Sequence, residues 1–126
     1  MEIYNRKNAY NTGDLKILSS YMLIGRVNAS VKNISVQISD IPVNSEQPLH
    51  KHEPEQCYYI IKGKGLIKIE DEEKTVEPGD AIYIPSNKTH GIKNIGNEVL
   101  EYLTANTPAF DSDYESRLWS HKPNLL

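Results

Sequence analysis

The chain has 126 residues, of which 38% are hydrophobic and 25% are charged, and its formal net charge is −3. This length suits one domain with one core, so we expect residues 1–126 to form a single domain. The weak acidic excess and the lack of a Lys- and Arg-rich stretch argue against nucleic-acid binding. No apolar run is long enough to cross a membrane, which argues against a membrane protein.

The first residues, MEIYNRKNAYN, are polar and lack the apolar centre of a signal peptide. Cys57 is the single cysteine, so no internal disulfide can form. We therefore expect a cytoplasmic protein. We also expect Cys57 to be a small buried side chain and not a nucleophile.

The predicted elements begin with residues 14–25, an apolar stretch that indicates one or two strands interrupted at Ser19 and Ser20. Residues 33–42 then alternate strictly between apolar and polar positions, which is typical of a half-buried strand. The segment DEEK (71–74) is predicted to be a polar hairpin turn. Further short strands are predicted over residues 57–63, 65–71, 81–85, 90–94 and 98–105.

Turn signals recur every eight to twelve residues or so between these strands, a spacing that favours an all-β sandwich or barrel. A helical pattern is found only in DSDYESRLW (111–119), which predicts a short helix capped by Asp111 or Ser112. We interpret residues 108–126 as a C-terminal extension. It is either a cap that packs over an open end or a lid that offers a charged group to a substrate.

The segment LHKHEPEQCYYIIKG (49–63) contains two histidines at a spacing of two residues. In an extended segment His50 and His52 project from the same face, and Gln56 and Tyr58 share that parity, although Pro54 interrupts the strand pattern. Two imidazoles supply half of a metal site, and His90 is the obvious third nitrogen donor. The alternative is that His50 and His52 are exposed residues beside a turn.

Residues 44–63 and 79–94 resemble the two motifs of the cupin family. The first motif, G-x5-H-x-H-x3-4-E-x6-G, aligns with Asn44, His50, His52, Gln56 and Gly63. The second, G-x5-P-x-G-x2-H-x3-N, aligns with Gly79, Pro85, Asn87, His90 and Asn94. Fifteen residues separate Gly63 from Gly79, a compact spacing similar to that of small microbial cupins.

The resemblance implies a double-stranded β-helix, or jelly-roll barrel. It also implies one divalent ion (Zn, Mn, Fe or Ni) bound by His50, His52, Gln56 and His90. Two departures concern turns, where Asn44 and Asn87 stand in place of glycines and are expected to adopt the left-handed conformation.

The third departure is Gln56, which stands where cupins usually have a glutamate ligand. A neutral amide would leave the full +2 charge on the ion, giving a stronger Lewis acid that is held less tightly. Gln56 could otherwise act as an outer hydrogen-bonding partner. Glu53 and Glu55 are the nearby carboxylates, and Glu55 would face the site only after a register shift.

Four tyrosines, Tyr58, Tyr59, Tyr83 and Tyr102, are expected to be core or barrel-lining side chains. Tyr58 and Tyr102 are the candidates for a catalytic or substrate-positioning role through their hydroxyls. In the C-terminal segment, Asp111, Arg117 and Trp119 would belong to the cap or lid, and His121 is expected at the surface.

The resemblance further implies a small-molecule ligand at an ion with free coordination positions. One hypothesis is Lewis-acid isomerisation of a small sugar or sugar acid. The alternatives are a dioxygenase similar to quercetinases or acireductone enzymes, and a non-catalytic small-molecule-binding cupin. Gln56 favours the isomerase because those dioxygenases, like oxalate decarboxylases, more often keep the glutamate.

Small cupins often form homodimers by adding an N-terminal strand to the sheet of the partner. The apolar segment YMLIGRV (21–27) could be such a strand and would then cover an open sheet edge. The alternative is a strand that pairs within its own chain.

Overall fold

The computed structural model describes residues 1–13 and 17–110. A 3-10 helix spans Arg6–Asn8. None of the described helices is long and apolar enough to span a membrane. The described strands are β1 (Tyr10–Asn11), β2 (Ser19–Ile24), β3 (Ser35–Ile41), β4 (Glu55–Lys62), β5 (Gly65–Ile69), β6 (Glu72–Val76), β7 (Ala81–Ile84), β8 (His90–Asn94) and β9 (Leu100–Thr107).

These strands form two antiparallel sheets. One has six strands in the order β1-β2-β3-β9-β4-β7, and the other has three in the order β6-β5-β8. Inward-facing side chains from both sheets share one apolar core, consisting of Leu18, Ile41, Tyr58, Ile60, Ile67, Val76, Ile84, Ile92, Leu100 and Tyr102. The predicted all-β fold is confirmed. The predicted helix over residues 111–119 lies outside the described residues.

Strand β3 alternates as predicted, but its buried face is the polar one. Ser35, Gln37 and Ser39 are buried, whereas Val36 and Ile38 are half-buried on the outer face. Burying polar groups is unfavourable unless they find hydrogen-bond partners. The partners of Ser35, Gln37 and Ser39 come from neighbouring strands, from Asn106 of β9 and Ser20 of β2.

The prediction of a turn over residues 71–74 was wrong. The turn consists of Glu70 and Asp71, with Glu70 in the left-handed conformation (φ 53°), and Glu72 already belongs to β6. This strand is hard to recognise because it lies at a sheet edge and is mostly exposed. Charged residues on an edge strand discourage pairing with other chains, so the apolar alternation of an inner strand is missing.

The alternation of β4 also corrects two other expectations. Tyr58 and Tyr102 are buried as predicted, but Tyr59 and Tyr83 are 48% and 60% exposed. Cys57 is exposed and was wrongly predicted to be buried. The reason is that Gln56 and Tyr58 face the interior, which turns Cys57 and Tyr59 outward. Tyr83 of β7 lies directly opposite Cys57 and therefore shares the outer face.

Strand β2 includes Ser19 and Ser20, which were wrongly predicted to interrupt it. Ser20 is buried beside the polar face of β3, where its hydroxyl accepts a hydrogen bond from that of Ser39. Both edges of β2 are occupied within the chain, by β1 and by β3. Residues 21–24 of the segment 21–27 therefore pair internally, and the homodimer stays a prediction.

Candidate metal centre

A backbone pairing brings the first and third histidines together. The His50 N–H donates to the His90 carbonyl (3.0 Å), and the His90 N–H donates to the His50 carbonyl (2.8 Å). Such a mutually bonded antiparallel pair places both side chains on the same face. The centroids of the two imidazole rings are 4.3 Å apart.

The second histidine joins them because it lies two residues further along an extended segment. The ring centroid of His52 is 4.8 Å from that of His90 and 5.4 Å from that of His50. One side-chain nitrogen from each ring lies within 4.8 Å of the others, and all three rings are buried. The predicted convergence of these three residues is therefore present in the structure.

Two similar turns deliver the histidine segments to this point. Asn44 and Asn87 have φ angles of 66° and 62°, so both adopt the predicted left-handed conformation. The Ser45 N–H donates to the Pro42 carbonyl, and the Lys88 N–H donates to the Pro85 carbonyl. Asn is the side chain, after glycine, that best tolerates this backbone conformation, which explains how it replaces the glycines of the family pattern.

The hydrogen bonds of the rings determine which nitrogen faces the centre. In each histidine Nδ1 lies 2.8 Å from a backbone carbonyl oxygen, which belongs to Pro48, Pro54 and Lys88 respectively. A carbonyl can only accept, so Nδ1 carries the proton in all three rings. The lone pair of each neutral ring is therefore on Nε2, and for His52 and His90 this atom is buried without a hydrogen-bond partner.

Burial keeps the rings neutral. It lowers the pKa of His90 to about 4, against the opposing effect of the Lys88 carbonyl. The pKa of His50 lies well below its usual range because of burial and the neighbouring His90. Burial also lowers the pKa of His52, although the Pro54 carbonyl and the Gln56 amide raise it. At neutral pH each ring can thus donate its lone pair to a cation.

Gln56 faces the same interior space from β4. Its Nε2 donates to the Oδ1 of Asn106 at 2.6 Å, whereas its Oε1 is buried without a hydrogen-bond partner. Glu53 and Glu55 are exposed, so no register shift brings either carboxylate inward. The side chain at the position where cupins usually have a glutamate ligand is therefore a neutral amide that faces inward.

These donors fit a metal ion. Buried polar atoms without partners are rare and usually mark a bound water, an ion or a functional site. Here two such nitrogens and one such oxygen belong to side chains at ligand positions of the cupin pattern, with Gln56 in place of the usual glutamate. Imidazole nitrogen suits zinc, iron, nickel and copper, and oxygen donors suit manganese. The three histidines could therefore hold one divalent ion.

The space beside the site is small. A cavity of about 10 Å³ is lined by Gln56, Tyr58, Tyr102 and Phe110 among others, and such a volume holds about one water molecule. Phe110 is 4% exposed, and its ring meets the His52 ring edge to face with 4.7 Å between centroids. A larger open cleft of about 540 Å³ lies between β6 and β7, away from the histidines.

Tyr58 and Tyr102, the two tyrosines predicted to position a substrate, line this cavity. The rings of Tyr58 and Tyr102 stack with their centroids 4.6 Å apart. The Tyr58 hydroxyl donates to Oε1 of Gln47, and Nε2 of Gln47 donates to the Tyr102 hydroxyl, each at 3.2 Å. One glutamine thus fixes the position of both hydroxyls. Sequence reasoning missed Gln47, because its parity with His50 cannot be read across Pro48.

Sequence reasoning also missed Ser35, Gln37 and Asn106, which form a buried polar group beside Gln56. The signal available was the strict alternation of residues 33–42, in which the polar set could equally well have been the inner one. Phe110 was missed because it lies beyond the last recognisable strand.

Comparison with known proteins agrees with this fold. The family described as "Cupin domain" matches residues 37–106, which include every candidate ligand. The chain is 36% identical over 111 residues to the Methanocaldococcus jannaschii protein MJ1618, and the match covers 87% of each chain. The chain therefore belongs to the cupin family.

Two further similarities are informative. The chain is 38% identical over 64 residues to an oxalate-binding protein of Thermotoga maritima, a match that covers 50% of this chain and 53% of that protein. The crystal structure of an RmlC-like cupin from Shewanella frigidimarina superposes with a TM-score of 0.74 at 16% identity, covering 90% of this chain and 96% of the other. The latter similarity shows the shared fold.

Proposed function

We propose that His50, His52, Gln56 and His90 hold one divalent metal ion, and that this ion binds a small oxygen anion. The observation that carries the proposal is the set of buried, unpartnered atoms, namely Nε2 of His52, Nε2 of His90 and Oε1 of Gln56. The carbonyl partners of Nδ1 also support it, because they fix the tautomer in which Nε2 can coordinate.

Charge favours an anionic ligand. Four neutral donors leave the full +2 charge on a buried ion, and an uncompensated buried charge is unfavourable. No acidic side chain of the described residues lines the adjoining cavity, so this part of the chain does not supply the balancing charge there. A carboxylate or an enolate with two oxygens would supply it and would occupy free coordination positions.

The chemistry we propose is Lewis-acid isomerisation of a small sugar or sugar acid. When bound, the ion polarises the carbonyl of a hydroxy-carbonyl substrate. Tyr58 and Tyr102, positioned through Gln47, would hydrogen-bond the oxygens of the substrate on the opposite side. Phe110 would exclude water from the site, and it must move to admit any substrate larger than the cavity.

The second candidate is a binding cupin without turnover, with a small dicarboxylate such as oxalate as its ligand. One observation favours it, namely the similarity to the Thermotoga maritima oxalate-binding protein. Both candidates share the metal and the anion, and they differ only in whether the bound molecule reacts.

The metal can be tested first by elemental analysis after loading with zinc or manganese and removal of unbound ions. We expect one ion per chain in the native protein and none in the His50→Ala, His52→Ala double variant. Lys51→Ala is the matched control, because Lys51 lies between the two histidines and is exposed. Equal metal content in all three proteins would contradict the site.

Ligand and reaction can then be separated with the metal-loaded protein. Calorimetry with oxalate measures binding, and NMR of a panel of hydroxy-carbonyl sugar acids measures turnover. Turnover that needs the metal but not dioxygen supports the isomerase, whereas oxalate binding without turnover supports the binding cupin. Metal-dependent consumption of dioxygen would refute both in favour of a dioxygenase.

We also infer a homodimer, which the outer face of β4 and β7 supports. Tyr59, Ile61 and Tyr83 are exposed there on neighbouring strands, at 48%, 39% and 60% respectively. Large exposed apolar side chains in a group are typical of association surfaces. Sedimentation analysis should show a dimer that Tyr59→Glu weakens, and a monomer at all concentrations would remove the inference.

The cytoplasmic location stays a prediction.

A further inference from the structure

The amide of Gln56 has two chemically different ends, and only its oxygen can coordinate a cation. A neighbouring group must therefore determine which end of the amide faces the histidines. The Nε2 of Gln56 donates to Oδ1 of Asn106 at 2.6 Å, so the oxygen is turned the other way. The orientation of Gln56 is thus set by whether Asn106 presents an oxygen or an NH2 group to it.

The orientation of Asn106 is set in turn by the backbone. Its Nδ2 donates to the Ser35 carbonyl at 3.4 Å, to the Ser35 hydroxyl at 3.2 Å and to Oε1 of Gln37 at 2.7 Å. A backbone carbonyl can only accept, so the NH2 group of Asn106 must point towards Ser35. The oxygen of Asn106 must then point towards Gln56.

Strand order makes this arrangement rigid. Asn106 lies on β9, which separates β3 from β4 in the large sheet. It is directly opposite Ser35 on one side and directly opposite Gln56 on the other. All three side chains are buried, so water does not compete for these hydrogen bonds.

We propose that Asn106 is a positioning residue that orients Gln56 with its amide oxygen towards the three histidines. The proposal rests on the proposed function, since it takes Gln56 to be a ligand of the metal. Asn106 does not itself reach the ion. Its hydrogen bond holds the amide in place and draws electron density towards Oε1, which strengthens a neutral ligand.

The same geometry explains why glutamine and asparagine occur together. A glutamate at position 56 would place a carboxylate oxygen against Oδ1 of Asn106, and two acceptors at the observed 2.6 Å would repel each other. A carboxylate also has an oxygen at each end, so it needs no partner to orient it. The residue at position 106 should therefore matter for a glutamine ligand and not for a glutamate ligand.

This contrast provides the test. The affinity for Zn²⁺ is measured by competition with a chromophoric chelator for the native protein, Asn106→Leu, Gln56→Glu and the double variant of the two. We expect Asn106→Leu to lower the affinity by roughly 10- to 100-fold, the range typical of lost outer-shell partners. In the Gln56→Glu background we expect the same change to lower it by less than about 3-fold, or to raise it.

Two more variants guard against simple loss of structure. Asn94→Leu is the matched control, because Asn94 is a buried asparagine whose Nδ2 donates to the backbone carbonyls of Ile41 and Glu98, away from the site. We expect unchanged zinc affinity there. Asn106→Asp keeps the oxygen that accepts from Gln56, but its second oxygen faces the Ser35 carbonyl and Oε1 of Gln37. Its folded fraction should therefore lose less zinc affinity than Asn106→Leu does.

An equal loss from Asn106→Leu in both backgrounds, or a loss from Asn106→Asp as large as that from Asn106→Leu, would overturn the positioning role. A failure of the proposed function looks different. In that case zinc would bind away from the histidines, or Gln56→Ala would bind zinc as tightly as the native protein.

Discussion

The two ends of the barrel interior are built from the same strands but differ in chemistry. At one end Ile41 lies opposite Leu100, and Ile60 packs nearby. At the other end of the same strands Ser35 lies opposite Asn106, which lies opposite Gln56. A single strand such as β9 thus changes from apolar to polar along its inward face.

The apolar and polar ends contribute differently to stability and to ligand binding. Each fully buried large aliphatic side chain stabilises the folded state by about 1.5–3 kcal/mol relative to exposure. A typical hydrogen bond contributes only about 0.5–1.5 kcal/mol net, and a buried atom without a partner costs about 1–3 kcal/mol. The apolar end therefore stabilises the barrel, whereas the polar end keeps unpartnered donors in place for a ligand.

The largest expected effect is at the polar end. His90→Ala should lower the affinity for zinc by more than the roughly 10- to 100-fold expected for outer-shell residues, because a coordinating atom is lost. The metal-free variant should stay folded, since the substitution also removes a buried nitrogen without a partner. Metal titration and circular dichroism of the same sample check both statements. Zinc affinity equal to that of the native protein would contradict the division of tasks.

The converse change is Ile60→Ala at the apolar end. Ile60 is fully buried in the core, so its truncation should lower the free energy of unfolding by about 2–5 kcal/mol. Zinc should still bind the folded fraction with native affinity. Urea denaturation of the metal-free protein, followed by metal titration at low temperature, would separate the two quantities.

Acidic pH should lower the free energy of unfolding of the metal-free protein, because His90 at the polar end is buried in its neutral form. Burial lowers the pKa of His90 from 6.5 to about 4 in the folded protein. Between about pH 6.5 and pH 4, His90 is therefore protonated in the unfolded chain but neutral in the folded one. Stability is therefore full above about pH 6.5 and falls as the pH drops towards 4, by roughly 3 kcal/mol from this residue.

Urea denaturation at several pH values between about 7 and 4.5 measures this slope. In His90→Gln the part of the slope that belongs to His90 should disappear. A metal-free protein whose stability rises as the pH falls through this window would show that the imidazoles are not held neutral.

Phe110 lies against the His52 ring at the polar end, and its removal should speed the exchange of the metal. Phe110→Ala removes the ring against His52 and enlarges the small cavity. We expect zinc to be lost to excess chelator on the order of 10-fold faster, with little change in the ligand set, because the ring no longer shields the ligands. Stopped-flow absorbance measures the rate, and an unchanged rate would mean that the ion leaves by another route.

The smallest effect concerns the turns that deliver the histidines. Asn87 is in the left-handed conformation at φ 62°, which glycine adopts without strain. Asn87→Gly should change the free energy of unfolding by less than about 1 kcal/mol and leave zinc binding intact. A large loss of zinc affinity would mean that the Asn87 side chain has a role beyond the backbone conformation.

Much of the fold and the convergence of the three histidines could be predicted from the sequence, but the buried polar residues beside them could not. The fold and the convergence of the histidines could be predicted because turn spacing and two family motifs constrain them together. The buried face of β3 could not, because alternation gives a period of two without saying which set is inside. Edge strand β6 was missed because its charged residues carry no apolar pattern. Asn106 could not be recognised because its role depends on pairing with two strands distant in sequence.

The metal centre can be tested most directly by an anomalous difference map from crystals of the zinc-loaded protein. We expect one strong peak about 2.0–2.2 Å from Nε2 of His50, His52 and His90 and from Oε1 of Gln56. A zinc ion bound elsewhere, with none of the three imidazole rings coordinating it, would show that these residues do not form a metal site.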